Sequence, residues 1–254
     1  MMKRHYAKSF IATLIASHFY LLAACVNADE HSDAHGIEAM HDHGDNPVIT
    51  KVMFDQLELR NADGANPLIV DAQAWIGNDL NKLWLKTDFE KRDGEITDAE
   101  VQALYSRAIA PYWDLQLGVR HDIKPTPTST WGVLGMQGLA PYFFEVDAAL
   151  FVGESGKTAL RVSAEYELLF TQRLILSPEI EVNIYGQNDL KAGTGSGLSD
   201  VTAGLRLRYE IKRQFAPYIG VNWNKKFGKT ADMVENKGEA ASDTSLVAGV
   251  RIWF

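Results

Sequence analysis

The stretch Leu160-Arg161-Val162-Ser163-Ala164-Glu165-Tyr166-Glu167-Leu168 decides the fold class. Its even positions are apolar and its odd positions polar or charged. Strand side chains point alternately to two faces, whereas a helix repeats every 3.6 residues, so the segment reads as a strand with one apolar and one charged face. Leu174, Leu176, Ile180, Val182 and Ile184 alternate in the same way with Ser177, Glu179, Glu181 and Asn183. So do Val201, Ala203, Leu205, Leu207, Tyr209 and Ile211 with Thr202, Arg206, Arg208 and Glu210. Working outward gives twelve such segments: 48–60, 67–77, 80–92, 95–109, 112–122, 129–139, 142–153, 157–170, 172–185, 198–212, 215–227 and 242–254. They exceed ordinary globular strands and match tilted membrane strands in length.

The connections alternate in character. Gly77-Asn78-Asp79, Ala110-Pro111, Ala140-Pro141, Thr171 and Gln214 mark tight turns, whereas 61–66, 122–128, 186–197 and 228–241 are longer and rich in Gly, Asp, Asn or Pro. Short turns on one side, long loops on the other and an even strand count predict an all-β, antiparallel transmembrane β-barrel with both termini in the periplasm. Ala-Pro-Tyr recurs at 110–112, 140–142 and 216–218. Each tyrosine is expected in an interfacial aromatic girdle. The last strand ends on Phe254, which resembles the recognition strand of proteins inserted into the outer membrane. A soluble β-sandwich would explain neither the loop asymmetry nor that terminal aromatic.

The N-terminus reads as an export signal. Lys3, Arg4 and Lys8 precede an uncharged, mostly apolar run from Phe10 to Ala24. That run suits a signal peptide and is short for a spanning helix. Cleavage after Val26-Asn27-Ala28 would make Asp29 the first residue of the mature chain, whereas Leu22-Ala23-Ala24-Cys25 reads as a lipoprotein box acylated at Cys25. The expected organisation is a signal peptide over 1–28, a disordered tail over 29–47 and the barrel over 48–254. The chain has 25 Lys+Arg against 33 Asp+Glu in 254 residues, and its first 28 contain three of the bases and no acid. A mature chain this acidic is a poor partner for nucleic-acid phosphates. Cys25 is the one cysteine, so no CxxC redox or metal motif exists.

Residues 29–46, DEHSDAHGIEAMHDHGDN, carry His31, His35, His41 and His43, with Met40 and six acids. Too little apolar surface is present to offset the entropy of ordering. Such His-rich tracts bind metals: imidazole suits Cu(II), Zn or Ni, and a thioether adds affinity for Cu(I). A plain polar spacer is the bland alternative. In the barrel, the polar set, including Lys82, Lys86, Asp88, Glu100, Asp114, Arg120, Glu145, Asp147, Arg161, Glu165, Glu179, Arg206, Arg208 and Arg251, is expected to face the lumen. It forms either a structural ion-pair network or a narrow cation path. On the path reading, His121 and Met136 mark a copper exit near the extracellular side, with Asp114 and Glu145 below them. Met53 is a further soft ligand within a strand.

With these features in hand, the chain resembles the copper resistance protein B family. The resemblance rests on Phe54-Asp55-Gln56-Leu57-Glu58, Asp71-Ala72-Gln73-Ala74-Trp75-Ile76-Gly77, Leu83-Trp84-Leu85-Lys86, Ala103-Leu104-Tyr105-Ser106-Arg107-Ala108-Ile109, Trp113-Asp114-Leu115-Gln116-Leu117-Gly118-Val119-Arg120 and Ala140-Pro141-Tyr142-Phe143-Phe144. It implies a Gram-negative outer-membrane barrel that binds copper and contributes to periplasmic copper resistance by sequestering or exporting the metal. It also implies work beside a periplasmic multicopper oxidase of the copper resistance protein A family. The family's tails are often rich in Met, and this one has a single Met, so Cu(II) is favoured over Cu(I). A general small porin is the alternative. An outer-membrane phospholipase is disfavoured, because no strand serine lies two residues from His121 to complete a triad.

Overall fold

The computed structural model describes residues 46–61 and 66–254. Expectations for the signal peptide and for His31, His35, Met40, His41 and His43 lie outside the described residues. The strands are β1 (Ile49–Asn61), β2 (Leu68–Gly77), β3 (Asn81–Arg92), β4 (Glu95–Ala110), β5 (Trp113–Lys124), β6 (Ser129–Ala140), β7 (Phe144–Gly153), β8 (Thr158–Glu165), β9 (Leu168–Leu169), β10 (Leu174–Tyr185), β11 (Gly197–Tyr209), β12 (Phe215–Lys226) and β13 (Ser242–Trp253). One helix, α1 (Gly228–Glu235), lies between the last two. Neighbouring strands pair antiparallel, and β13 pairs with β1 to close the sheet.

β8 and β9 are two lengths of one stave. Both pair with β10 in one register, Glu165 opposite Glu179 and Leu168 opposite Leu176. Between them, Tyr166 donates its N–H to the Pro178 carbonyl at 3.1 Å. Pro178 has no N–H to return the bond, so the ladder lapses there. The barrel therefore has twelve staves, as the twelve alternating segments predict.

The alternation orients as expected. In β5, Leu115, Leu117 and Val119 are exposed on the outside while Gln116 is buried inside. Turning a strand over would put ionised groups in hydrocarbon, at roughly 2 to 4 kcal/mol for a midplane Arg or Lys. Two features depart from strict alternation. The register of β1 slips between Phe54 and Gln56 against β2, and between Phe54 and Leu57 against β13. This β-bulge lets Asp55 and Gln56, adjacent in sequence, both line the lumen. In addition, Leu104, Trp131, Val133, Ala149, Phe151 and Ala159 form an apolar cluster on the inner face of β4, β6, β7 and β8.

Both termini of the barrel lie at one end, with the short turns. There Tyr112 and Tyr142 adopt left-handed backbone (φ 68° and 67°) and stand 76% and 83% exposed, as girdle residues should. The third triplet differs: Pro217 and Tyr218 lie within β12, and Tyr218 is buried on the inner face. At the opposite end, two connections are tight. Asp93-Gly94 closes β3 to β4 with both residues at positive φ, the backbone that two-residue hairpins need. Glu154–Gly156 makes a single 3-10 turn. The connection after β12, expected as a loop over 228–241, contains α1. Thr230 of α1 accepts a hydrogen bond from the Gly195 N–H at 2.8 Å and shares one with Ser199 at 3.0 Å, tying two loops together.

Candidate functional site

The inner wall is built from ion pairs. Toward the loop end, Glu100 accepts two hydrogen bonds of 3.0 Å from the forked guanidinium of Arg161. Arg120 reaches the same carboxylate at 2.8 Å and Asp122 at 2.6 Å. Both arginines stack on Phe151, at 4.8 and 5.7 Å from the ring centroid. Charge pairing and apolar packing thus fill this part of the lumen jointly. Farther along β3, Lys86 pairs with Asp147 at 2.6 Å, and Lys82 with Asp114 at 3.1 Å. On the facing wall Glu58 is 0% exposed and accepts from Arg206 Nε at 3.0 Å, Arg60 Nε at 2.6 Å and Tyr218 Oη at 3.1 Å. Arg206 also binds Glu179 at 2.6 Å. Near the terminal end, Arg251 bridges Asp55 and Glu167, and Arg208 joins it on Glu167. A buried charge left unpaired is costly, so each arginine here is held by at least one acid.

Between the walls lies a cavity of about 470 Å³. Nine carboxylates and four cationic side chains line it. The registers explain the imbalance. Asp71, Asp88, Glu100 and Asp122 stand directly opposite one another across β2, β3, β4 and β5. Glu145, Glu165 and Glu179 do the same across β7, β8 and β10. Like charges directly opposite repel, so these two rows work against the sheet. Glu100, Asp122 and Glu179 are neutralised by arginine. Among the described residues, no side-chain hydrogen bond or salt bridge reaches the carboxylates of Asp71, Asp88, Glu145 or Glu165.

The copper exit expected at His121 and Met136 is corrected. His121 shares the parity of Leu115, Leu117 and Val119 and is exposed on the outer face, where its Nδ1 lies 2.9 Å from Thr130 Oγ1. Met136 is 40% exposed on the same outer face. It pairs with Leu115, near the terminal end of β5, whereas His121 pairs with Thr130 near the other end. The two neither face the lumen nor meet. Asp114 is engaged by Lys82, whereas Glu145 does line the cavity. Met53 faces inward, with Arg251 Nη2 at 3.9 Å from its sulfur. Sequence reading missed Asp55, Glu58 and Asp71 as lumen residues. For Asp71, the alternation Asp71-Ala72-Gln73-Ala74 carried the signal; for Glu58, the bulge shifts the parity. Among the described residues, no three His, Cys, Asp or Glu side chains converge as ligands of one metal ion.

A closed twelve-stave barrel with an apolar exterior and a charged interior defines an outer-membrane β-barrel protein. Among solved structures, the chain resembles the NanC porin in a rhombohedral crystal form. The TM-score is 0.55 at 13% identity, covering 80% of this chain and 99% of that one, a likeness of fold. Residues 48–254 match the family described as Copper resistance protein B precursor (CopB). Copper resistance protein B of Escherichia coli is 48% identical over 216 residues, 85% of this chain and 72% of that protein. A copper resistance protein B homolog of Pseudomonas syringae pv. tomato (strain ATCC BAA-871 / DC3000) is 44% identical over 214 residues, 84% and 73% of the two chains. The chain belongs to the copper resistance protein B family.

Proposed function

We propose that this protein binds copper through residues 29–46 and contributes to copper resistance by holding or passing out periplasmic copper. The observation that carries the reading is four histidines and Met40 within residues 31–43, just ahead of the family's barrel. Neutral imidazoles ligate Cu(II) without a fold to preorganise them, provided the chain between them can bend. Residues 1–28 act as the export signal, 29–47 as the metal-binding tail and 48–254 as the membrane anchor. An even number of staves leaves both ends of the barrel on one side, which we assign to the periplasm. There the tail meets copper before it returns to the cytoplasm. We read the role as binding and transfer rather than catalysis. A periplasmic multicopper oxidase of the copper resistance protein A family is the expected partner. By oxidising Cu(I), such an enzyme would supply the Cu(II) that this hard, acid-rich ligand set prefers.

The test is copper tolerance of a deletion strain. Complementation with the full chain should restore growth, and a His31→Ala/His35→Ala/His41→Ala/His43→Ala variant, present at equal level in the outer membrane, should not. Full tolerance with that variant would remove the tail from the function.

A further inference from the structure

We propose that the terminal mouth of the lumen binds a small organic polycarboxylate, held by Lys51, Arg208 and Arg251 against the ring of Trp253. This site is separate from residues 29–46 and stands whether or not they bind copper.

The first observation is a second cavity, of about 240 Å³, lined by four bases, Lys51, Arg208, Arg213 and Arg251, and two acids, Glu167 and Glu210. Lys51 lies at the start of β1, Arg208 near the end of β11, Arg213 in the turn before β12 and Arg251 near the end of β13. The cavity therefore stands at the end of the barrel that carries the short turns. Lys51, Met53 and Arg251 also line the 470 Å³ cavity, so the two adjoin.

The second observation is which donors are taken. Glu167 Oε1 accepts from Arg208 Nη2 at 2.6 Å and from Arg251 Nη1 at 3.2 Å. Glu210 pairs with Arg213 at 3.3 Å, and Asp55 with Arg251 at 3.2 Å. Glu145 and Glu165 act on Arg251 from the larger cavity without bonding to it. Among the described residues, the Lys51 ammonium meets no acid and lies 5.2 Å from the centre of the Trp253 ring. Arg208 is only 6% exposed, yet among the described residues no acceptor takes its Nε and Nη1 hydrogens, and neither nitrogen is sealed from the cavity. Two guanidiniums on one carboxylate oxygen lie close together. Their remaining N–H groups offer the planar fork that matches a second carboxylate.

The third observation selects the class of anion. Met53 and Trp253 stand directly opposite each other across β1 and β13, and both line the cavity with Ala216. Trp253 is fixed by the hydrogen bond from its Nε1 to the Arg213 carbonyl at 2.6 Å. Lys51 lies two residues before Met53 and Arg251 two residues before Trp253 on the antiparallel partner. The ammonium and the guanidinium pair therefore flank an apolar wall, one on its terminal side and one on its inner side. Two acidic groups on one carbon skeleton fit that order, with the skeleton against the wall. Inorganic phosphate has no carbon face to place there.

The experiment uses the full-length protein in detergent, stripped of metal and held at fixed ionic strength, with citrate as the probe. Isothermal titration calorimetry should show one saturable citrate site per barrel. Acetate, with one carboxylate, and inorganic phosphate should each bind roughly tenfold more weakly. Lys51→Gln should weaken citrate binding by roughly tenfold, the loss of one charge-assisted contact, and leave the unfolding midpoint unchanged because Lys51 bonds no acid. Arg208→Lys keeps the charge, loses the fork and should also bind more weakly. Lys225→Gln, the same change near the loop end of β12, should bind citrate as the wild type does, and so should the variant lacking the four histidines of 29–46. No saturable citrate binding by the wild type overturns the proposal, and this arm needs no variant to fold. Wild-type affinity in Lys51→Gln removes the site from the mouth, and an equal loss in Lys225→Gln reduces the effect to overall charge. Phosphate binding as tight as that of citrate overturns the organic class, and loss of citrate binding with the four histidines overturns the separation from residues 29–46.

Discussion

Glu58 shows what a single side chain does in this wall. It is fully buried, and it accepts from Arg60, Arg206 and Tyr218, which come from β1, β11 and β12. Gly249 of β13 sits opposite both Glu58 and Tyr218, and a Cβ there would come within 2.6 Å of the Tyr218 ring. The glycine makes room for the tyrosine to lie over the strand and reach the acid. Glu58→Ala would leave Arg60 without its acid and Arg206 with Glu179 alone, and is expected to cost about 3 kcal/mol. Tyr218→Phe removes one donor to a carboxylate that keeps two others, and should cost only about 1 to 2 kcal/mol. Denaturant unfolding of the refolded protein reads both. Equal losses would mean that the tyrosine is packing rather than bonding. Glu58 was invisible to parity because the Asp55–Gln56 bulge lies between it and the start of β1, and nothing in the local sequence announces a bulge.

At the scale of elements, two features have consequences that can be measured. Pro178 breaks the ladder between β8 and β9, where Tyr166 donates and receives nothing back. Pro178→Val would supply the missing N–H and place a β-branched side chain on the apolar outer face. It should raise stability by about 0.5 to 1.5 kcal/mol, one net backbone hydrogen bond. Slower amide exchange in residues 164–169 would accompany the gain, and an unchanged exchange pattern would contradict it. The connection between β10 and β11 is organised by Asp189, which accepts from Lys157 Nζ of the β7–β8 connection and from the N–H groups of Lys191 and Ala192. The Lys157 hydrogen bond holds the Asp189 carboxyl below its ordinary range. A lowered carboxylate pKa contributes stability above the unfolded value, and that stability is lost as pH falls through the folded value. The loop should therefore loosen only below roughly pH 4. Limited proteolysis across pH checks this, and Asp189→Asn should loosen the loop already at neutral pH and flatten the profile. Of these elements, the twelve staves were legible because lipid imposes a period of two on every one of them. α1 was not, because eight residues of loop-end helix carry too little periodicity to be heard over Gly228 and Gly238.

For the whole molecule, the fold was legible and so were most of the charges that face the lumen, but how they pair was not, for a physical reason. Lipid accepts one kind of surface, so the outer face writes a uniform pattern. The lumen holds ion pairs, carboxylate rows and an apolar cluster side by side, and which positions meet depends on registers that one strand cannot encode. Phe151 and Leu104 look like lipid-facing residues by type and are core by position. His121 and Met136 have ligand chemistry, but their parity faces them away from the lumen. The metal capture proposed for residues 29–46 calls on no strand register, so its test is the most direct. A synthetic 29–46 peptide is expected to bind about one or two Cu(II) ions near neutral pH and release them as the imidazoles protonate below about pH 6. The direction follows from competition: each proton taken up by His31, His35, His41 or His43 removes a ligand, while the six acids remain ionised until lower pH. Carboxylates alone are weaker copper ligands, so binding should fall with the imidazole titration and not persist to the carboxylate range. Replacing all four histidines by alanine should abolish the neutral-pH binding in the peptide and lower the copper content of the full-length protein by the same number of ions. If the full-length protein keeps its stoichiometry after that replacement, the copper sits in the barrel, and the lumen carboxylates rather than the tail become its ligands.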